Sequence, residues 1–151
     1  MKRNLLVILF IGLLIGCNEE SGENYRSSRP KTERELKREL HTNECSRASR
    51  HLSGNLKYTA RYKGLLSMKV NGLKLNCTIE NNATLATFKD IKARVKFISK
   101  TGAVILTRTF NIYEFIEPNG SINYRTEIDI TNQQYKDIDT YSWTIISANC
   151  K

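Results

Sequence analysis

From Leu56 onward the chain alternates apolar and polar residues with a period of two. Leu56, Tyr58, Ala60 and Tyr62 alternate with Lys57, Thr59, Arg61 and Lys63. Leu73, Leu75, Cys77 and Ile79 alternate with Lys74, Asn76, Thr78 and Glu80. Ile91, Ala93, Val95 and Phe97 alternate with Lys92, Arg94 and Lys96, and Ile122, Tyr124, Ile128 and Ile130 with Asn123, Arg125, Glu127 and Asp129. Successive side chains of an extended chain point to opposite faces, so each block predicts a strand with one buried and one solvated face. Val104 to Ile116 is a longer apolar run broken by Arg108, Asn111 and Glu114, and reads as one long strand, with or without a bulge. Tyr141 to Ala148, which carries Trp143, predicts the last strand.

Turn residues separate these blocks: Asn71-Gly72, Asn81-Asn82, Thr101-Gly102 and Pro118-Asn119-Gly120. The apolar phase shifts at Asn71-Gly72, from Met68 and Val70 to Leu73 and Leu75. A hairpin turn and a bulge inside one strand both account for that shift. Six or seven short strands with no strong helix between them predict an all-β fold, an antiparallel β-sandwich over residues 54–151.

Upstream the period is different. Lys31 to Leu40 contains good helix formers; Thr32 and Glu35 fit a capping box, and Glu33 and Lys37 form an i,i+4 pair. Leu36 and Leu40 supply a single apolar stripe, so residues 31–53 predict a thin, mostly solvated helical segment continuing loosely toward Arg50. Residues 17–30 are polar and rich in Ser and Glu, with Tyr25 the one large apolar side chain, and predict a flexible tether.

The chain opens Met1-Lys2-Arg3 and then runs apolar from Leu5 to Ile15. That run is short of the roughly 20 residues a spanning helix needs, and a basic start before a short apolar run reads as a secretory signal. It ends Leu14-Ile15-Gly16-Cys17, which resembles the lipobox of bacterial lipoproteins. The resemblance implies a signal peptide over residues 1–16, cleavage before Cys17 and acylation of the Cys17 thiol. Two or three acyl chains anchor a protein stably where one does not. Asn18 is not the Asp that retains some lipoproteins at the inner membrane, so the resemblance implies a membrane-anchored envelope protein, at the outer membrane, with its periplasmic or surface side open.

A second resemblance spans roughly residues 48–149. "CTIENNATLATFKDIKARVKFISKTG", Cys77 to Gly102, followed by "IYEFIEPNGS", is similar to a group of exported bacterial domains of unknown function related to the FxLYD family. The matching residues are Thr78, Ile79, Asn81, Ala83-Thr84, Phe88 to Ile91, Phe97, Ser99 to Gly102, Tyr113-Glu114, Pro118 and Ser147-Ala148. Cys77 and Asn119 stand where that group has Gly. The resemblance implies an immunoglobulin-like sandwich and carries over no catalytic residue.

Charge narrows the partners. The chain has 24 Lys and Arg against 15 Asp and Glu; removal of residues 1–16 takes Lys2 and Arg3 and leaves a net charge of +7. A basic chain suggests an anionic partner. Export excludes nucleic acid and leaves lipid head groups, lipopolysaccharide and acidic glycans, or another envelope protein. Lys92, Arg94 and Lys96 share one strand face and Lys100 follows in phase, making a basic stripe. It reads either as a contact for anionic glycan or lipid head groups or as an ordinary solvated sheet face.

Enzymatic constellations are absent. His41 and His51 lie in the N-terminal segment without a Cys-x-x-Cys or His-x-x-x-His partner, short of the three or four ligands a metal needs. Glu114 and Glu117 flank a strand end, where a carboxylate pair is ordinarily solvated. No cofactor motif occurs. The sequence therefore reads as a non-catalytic binding or structural module of unknown partner, with a binder of anionic glycan or lipid head groups through the basic strand face and an envelope hydrolase as the alternatives. With Cys17 acylated, Cys45, Cys77 and Cys150 remain in an oxidising compartment, enough for one bridge. Cys77 lies mid-strand on the buried phase. Cys45 and Cys150 flank the strand region, and their pairing is the one expected, with Cys77–Cys150 and Cys45–Cys77 as alternatives.

Overall fold

The computed structural model describes residues 29–64, 66 and 68–151. Residues 1–28, which hold the expected signal peptide, Cys17 and most of the expected tether, lie outside the described residues. Residues Lys31–Lys151 form one compact unit. It comprises α1 (Glu33–Ser46), α2 (Ala48–His51), β1 (Leu52–Tyr62), β2 (Val70–Asn81), β3 (Phe88–Ser99), β4 (Val104–Ile112), β5 (Ser121–Asp129), α3 (Asn132–Asp137) and β6 (Ile138–Cys150). Among the described residues no helix is long and apolar enough to cross a membrane.

The strands form two antiparallel sheets, ordered β1-β2-β5 and β4-β3-β6. Reading β1 to β6 as A, B, C, C′, E and F gives the A-B-E and C′-C-F sheets of an immunoglobulin-like sandwich, with no strand G among the described residues. The two central strands carry the densest cores. Leu73, Cys77 and Ile79 of β2 and Ile91, Ala93, Val95 and Phe97 of β3 are fully buried, while Lys74, Asn76 and Glu80, and Lys92, Arg94 and Lys96, face water. This is the period-two pattern of the sequence, set by a dry layer between the two sheets. Near one end the core gathers Leu52, Phe88, Ile112 and Ile116; near the other it gathers Val70, Phe97, Ile128 and Ile130. Tyr141 donates its hydroxyl to the Leu56 carbonyl at 2.5 Å, joining β6 to the other sheet.

The open alternative at Asn71-Gly72 resolves as a bulge. Arg61 pairs with Gly72 and Tyr62 with Val70, so Asn71 is the extra residue and the hairpin closes between Tyr62 and Val70 instead. A Cβ on Gly72 would lie 2.7 Å from both the Arg61 guanidinium and the Ile128 carbonyl. The bare backbone lets Arg61 lie across β2 to β5, where it bonds Glu127 at 2.6 Å and also pairs with Asp129.

Other boundaries move. β1 begins at Leu52, ahead of the first alternating residue, and β6 at Ile138. The apolar run from Val104 is strand only to Ile112; Ile116 returns as an isolated bridge to Phe88. A bulge does occur, since Ile98 pairs with Val104 and Phe97 with Leu106. Edge strand β4 also places Arg108 opposite buried Val95, on the inward phase yet exposed. A charge there discourages pairing with another chain.

The N-terminal helix has the expected start. Thr32 Oγ1 accepts the Glu35 N–H at 3.3 Å, the Glu35 carboxylate accepts the Thr32 N–H at 2.8 Å, and Lys37 pairs with Glu33 at 2.7 Å. Its apolar stripe does not dock it, because Leu36 and Leu40 are exposed. The helix is fastened further along, at Glu44 and Cys45, and the following turn at Ala48.

Candidate ligand-binding face

β3 is the middle strand of its sheet, so its outward residues are framed on both sides. Lys92 stands between Asn111 of β4 and Ser147 of β6, Arg94 between Thr109 and Thr144, and Lys96 between Thr107 and Ser142. All three cations are exposed, and none makes an ion pair or side-chain hydrogen bond among the described residues. Same-face neighbours are roughly 7 Å apart along a strand, and adjacent strands about 4.8 Å apart. The result is a row of three hydrated cations bordered only by hydroxyls and an amide, with no carboxylate in register.

Lys100 does not extend the row. The register slips after Phe97 and again after Ile98, β3 ends at Ser99, and Lys100 sits exposed in the following turn. The in-phase placement expected from the sequence is therefore corrected: the strand carries three cations, with the fourth beyond its end.

The opposite sheet has a cationic face that sequence reasoning did not assemble. A shallow depression of about 560 Å³ is lined by Lys57, Thr59, Lys74, Asn76, Arg125 and Glu127. Lys57, Asn76 and Arg125 stand in one row across β1, β2 and β5, and Thr59, Lys74 and Glu127 in the next. The alternation shows that each residue points outward, but not which strands adjoin. Here Glu127 and Asp129 are already engaged by Arg61, whose guanidinium is held more firmly protonated first by Glu127 and then by Asp129. The β3 face has no such neutralising pair.

The cysteines fall as expected. Cys45 and Cys150 are joined, with Cα atoms 5.4 Å apart, and Cys77 is a buried free thiol whose pKa burial pushes up to about 11. His41 is half-buried on the bridge, 3.7 Å from Cys45 Sγ. His41, Cys45 and Cys150 offer atoms within 4.8 Å of one another. With the sulfurs bonded to each other there is no thiolate to ligate, and one imidazole falls short of a metal site.

Both buried polar side chains among the described residues serve the backbone. Glu44 accepts N–H groups of Thr84, Leu85 and Ala86 at 2.8–2.9 Å. Asn81 donates to the carbonyls of Ala86 and Ile116 and accepts the Ala83 N–H. Glu114 is exposed, and Glu117 accepts the Thr87 hydroxyl at 2.7 Å.

No family model matches the chain, and no curated protein matches it. Among solved structures, the X-ray structure of Northeast Structural Genomics Consortium target SoR45 is similar at 10% identity, covering 66% of this chain and 85% of that one with a TM-score of 0.42. A likeness of that size carries no statement about function.

Proposed function

We propose that this protein is a lipid-anchored, non-catalytic module of the bacterial cell envelope that binds an anionic polymer or head group through the outer face of β3. Cys17 is its acylated residue, residues 18–30 are its tether and the sandwich is its working part. The anchor reading rests on the Leu14-Ile15-Gly16-Cys17 motif behind a basic, then apolar, start. The single observation that carries the binding reading is the row Lys92, Arg94 and Lys96, exposed, unpaired and bordered by Asn, Ser and Thr. Cations in such a row match the repeating charge of an acidic glycan or of packed head-group phosphates. The same reading makes the protein a relative of the FxLYD-related exported domains, through the motifs from Thr78 to Ala148. The buried Glu44 and Asn81 support a non-catalytic role, since both are committed to backbone groups.

The test is retention on immobilised heparin, used as a model acidic glycan, and on lipopolysaccharide. Retention should fall steeply as ionic strength approaches physiological values, where the screening length shortens to about 8 Å. Lys92→Glu with Lys96→Glu should abolish it. Salt-independent retention, or unchanged retention by that double variant, removes the β3 face from the proposal.

A further inference from the structure

The tip of the β1–β2 hairpin carries apolar side chains that pack on nothing. Leu66 is 100% exposed and Met68 90% exposed, and Tyr62 at the end of β1 is half-exposed. This differs from Phe115 at another loop, whose ring is covered by the ammonium groups of Lys89 and Lys151. The base of the hairpin is fixed. Lys63 N–H bonds the Lys69 carbonyl at 3.1 Å, and Val70 N–H bonds the Asn132 side chain at 3.0 Å. A braced base thus presents apolar residues to solvent.

Along the chain this stretch carries charge of one sign: residues 45–79 contain no Asp or Glu, and the acidic residues across β2 from it, Glu127 and Asp129, are paired with Arg61. Lys63 and Lys69 flank the apolar tip directly. Apolar side chains flanked by two lysines match the interface of an anionic bilayer, where alkyl groups enter the acyl boundary and ammonium groups stay at the phosphates. Exposed apolar side chains are otherwise a liability for a water-facing loop.

We infer that the β1–β2 hairpin tip is a membrane-contact element, inserting Leu66 and Met68 into the interface of an anionic bilayer with Lys63 and Lys69 at the phosphates. The site is separate from the β3 face and does not need the lipid anchor.

The test uses residues 31–151, the compact unit holding both sheets, the disulfide and the core. It is co-sedimented with vesicles of phosphatidylethanolamine and phosphatidylglycerol, and with vesicles of phosphatidylcholine alone. The wild-type unit should sediment with the anionic vesicles and far less with the neutral ones. Leu66→Asp with Met68→Asp should weaken partition by about tenfold or more while leaving the thermal midpoint unchanged, because both side chains are solvent-exposed. Leu66→Trp in a Trp143→Phe background should be quenched by brominated acyl chains. Absence of binding by the wild type, equal binding by the double Asp variant, or no quenching overturns the inference. Loss of vesicle binding in Lys92→Glu with Lys96→Glu, with the tip variant unaffected, would place lipid contact on the β3 face and overturn it too. Self-association without vesicles that the tip variant abolishes, in a protein that ignores vesicles, would make the tip a contact between copies.

Discussion

The Glu44 carboxylate takes three backbone N–H groups from the turn between β2 and β3, some 40 residues along the chain. Burial alone would raise its pKa. The three donors, with a smaller contribution from the charge of His51, outweigh burial and leave it below its ordinary value of 4.5. A carboxylate depressed on folding contributes stability fully above that ordinary value and loses it as pH falls through the folded value. The expected result is that Glu44→Gln flattens this part of the acid limb in denaturant midpoints measured against pH. Glu44→Ala strands buried donors and should cost on the order of 3 kcal/mol at neutral pH. A second residue-scale test concerns Gly54, where a Cβ would lie 2.5 Å from Trp143 Nε1. Gly54→Ala should cost about 1–3 kcal/mol through overpacking and shift the emission of Trp143, the one tryptophan of the chain. Neither residue was legible in the sequence. Glu44 looks like one more charge on a solvated helix, since its partners are main-chain groups distant along the chain.

At the scale of elements, the central strands were the most legible. β2 and β3 are buried between the sheets on one side and solvated on the other, so their alternation is clean. The edges were harder to read. β4 meets water along much of its inward phase, which lets Arg108 sit where an apolar residue is expected. The α3 helix was missed because its cap, Thr131 with Gln134, spans a single short turn region. The Asn71 bulge was one of two readings, and it is chosen by a contact beyond the strand itself, the passage of Arg61 over Gly72. The bridge between Cys45 and Cys150 ties α1 to β6 across a sequence separation of 105. Replacing both with Ser should lower stability by up to about 4.7 kcal/mol on the chain-entropy model. Hydrogen exchange should then rise first over residues 33–51, where Glu44 and Ala48 remain as the chief attachments. Non-reducing peptide mapping checks the pairing directly, and a linked peptide containing Cys77 would contradict it.

At the scale of the folded unit, residues 31–151 carry two cationic sheet faces and an apolar-tipped hairpin flanked by Lys63 and Lys69. The β3 stripe was legible as three outward positions on one strand. Its isolation from carboxylates was not, because that depends on which strands lie beside β3. Location was read from the first twenty residues alone, and the binding reading inherits its choice of partners from that location. The most direct test is therefore the intact mass of the protein purified from bacterial membranes. The expected chain begins at Cys17 and carries the added mass of a diacylglyceryl group, with or without an acyl chain on the new amine. Cys17→Ser should lose that mass and the cleavage that precedes it. A wild-type protein and a Cys17→Ser variant with the same N-terminus, neither carrying lipid, would contradict the envelope anchor and the choice of partners built on it.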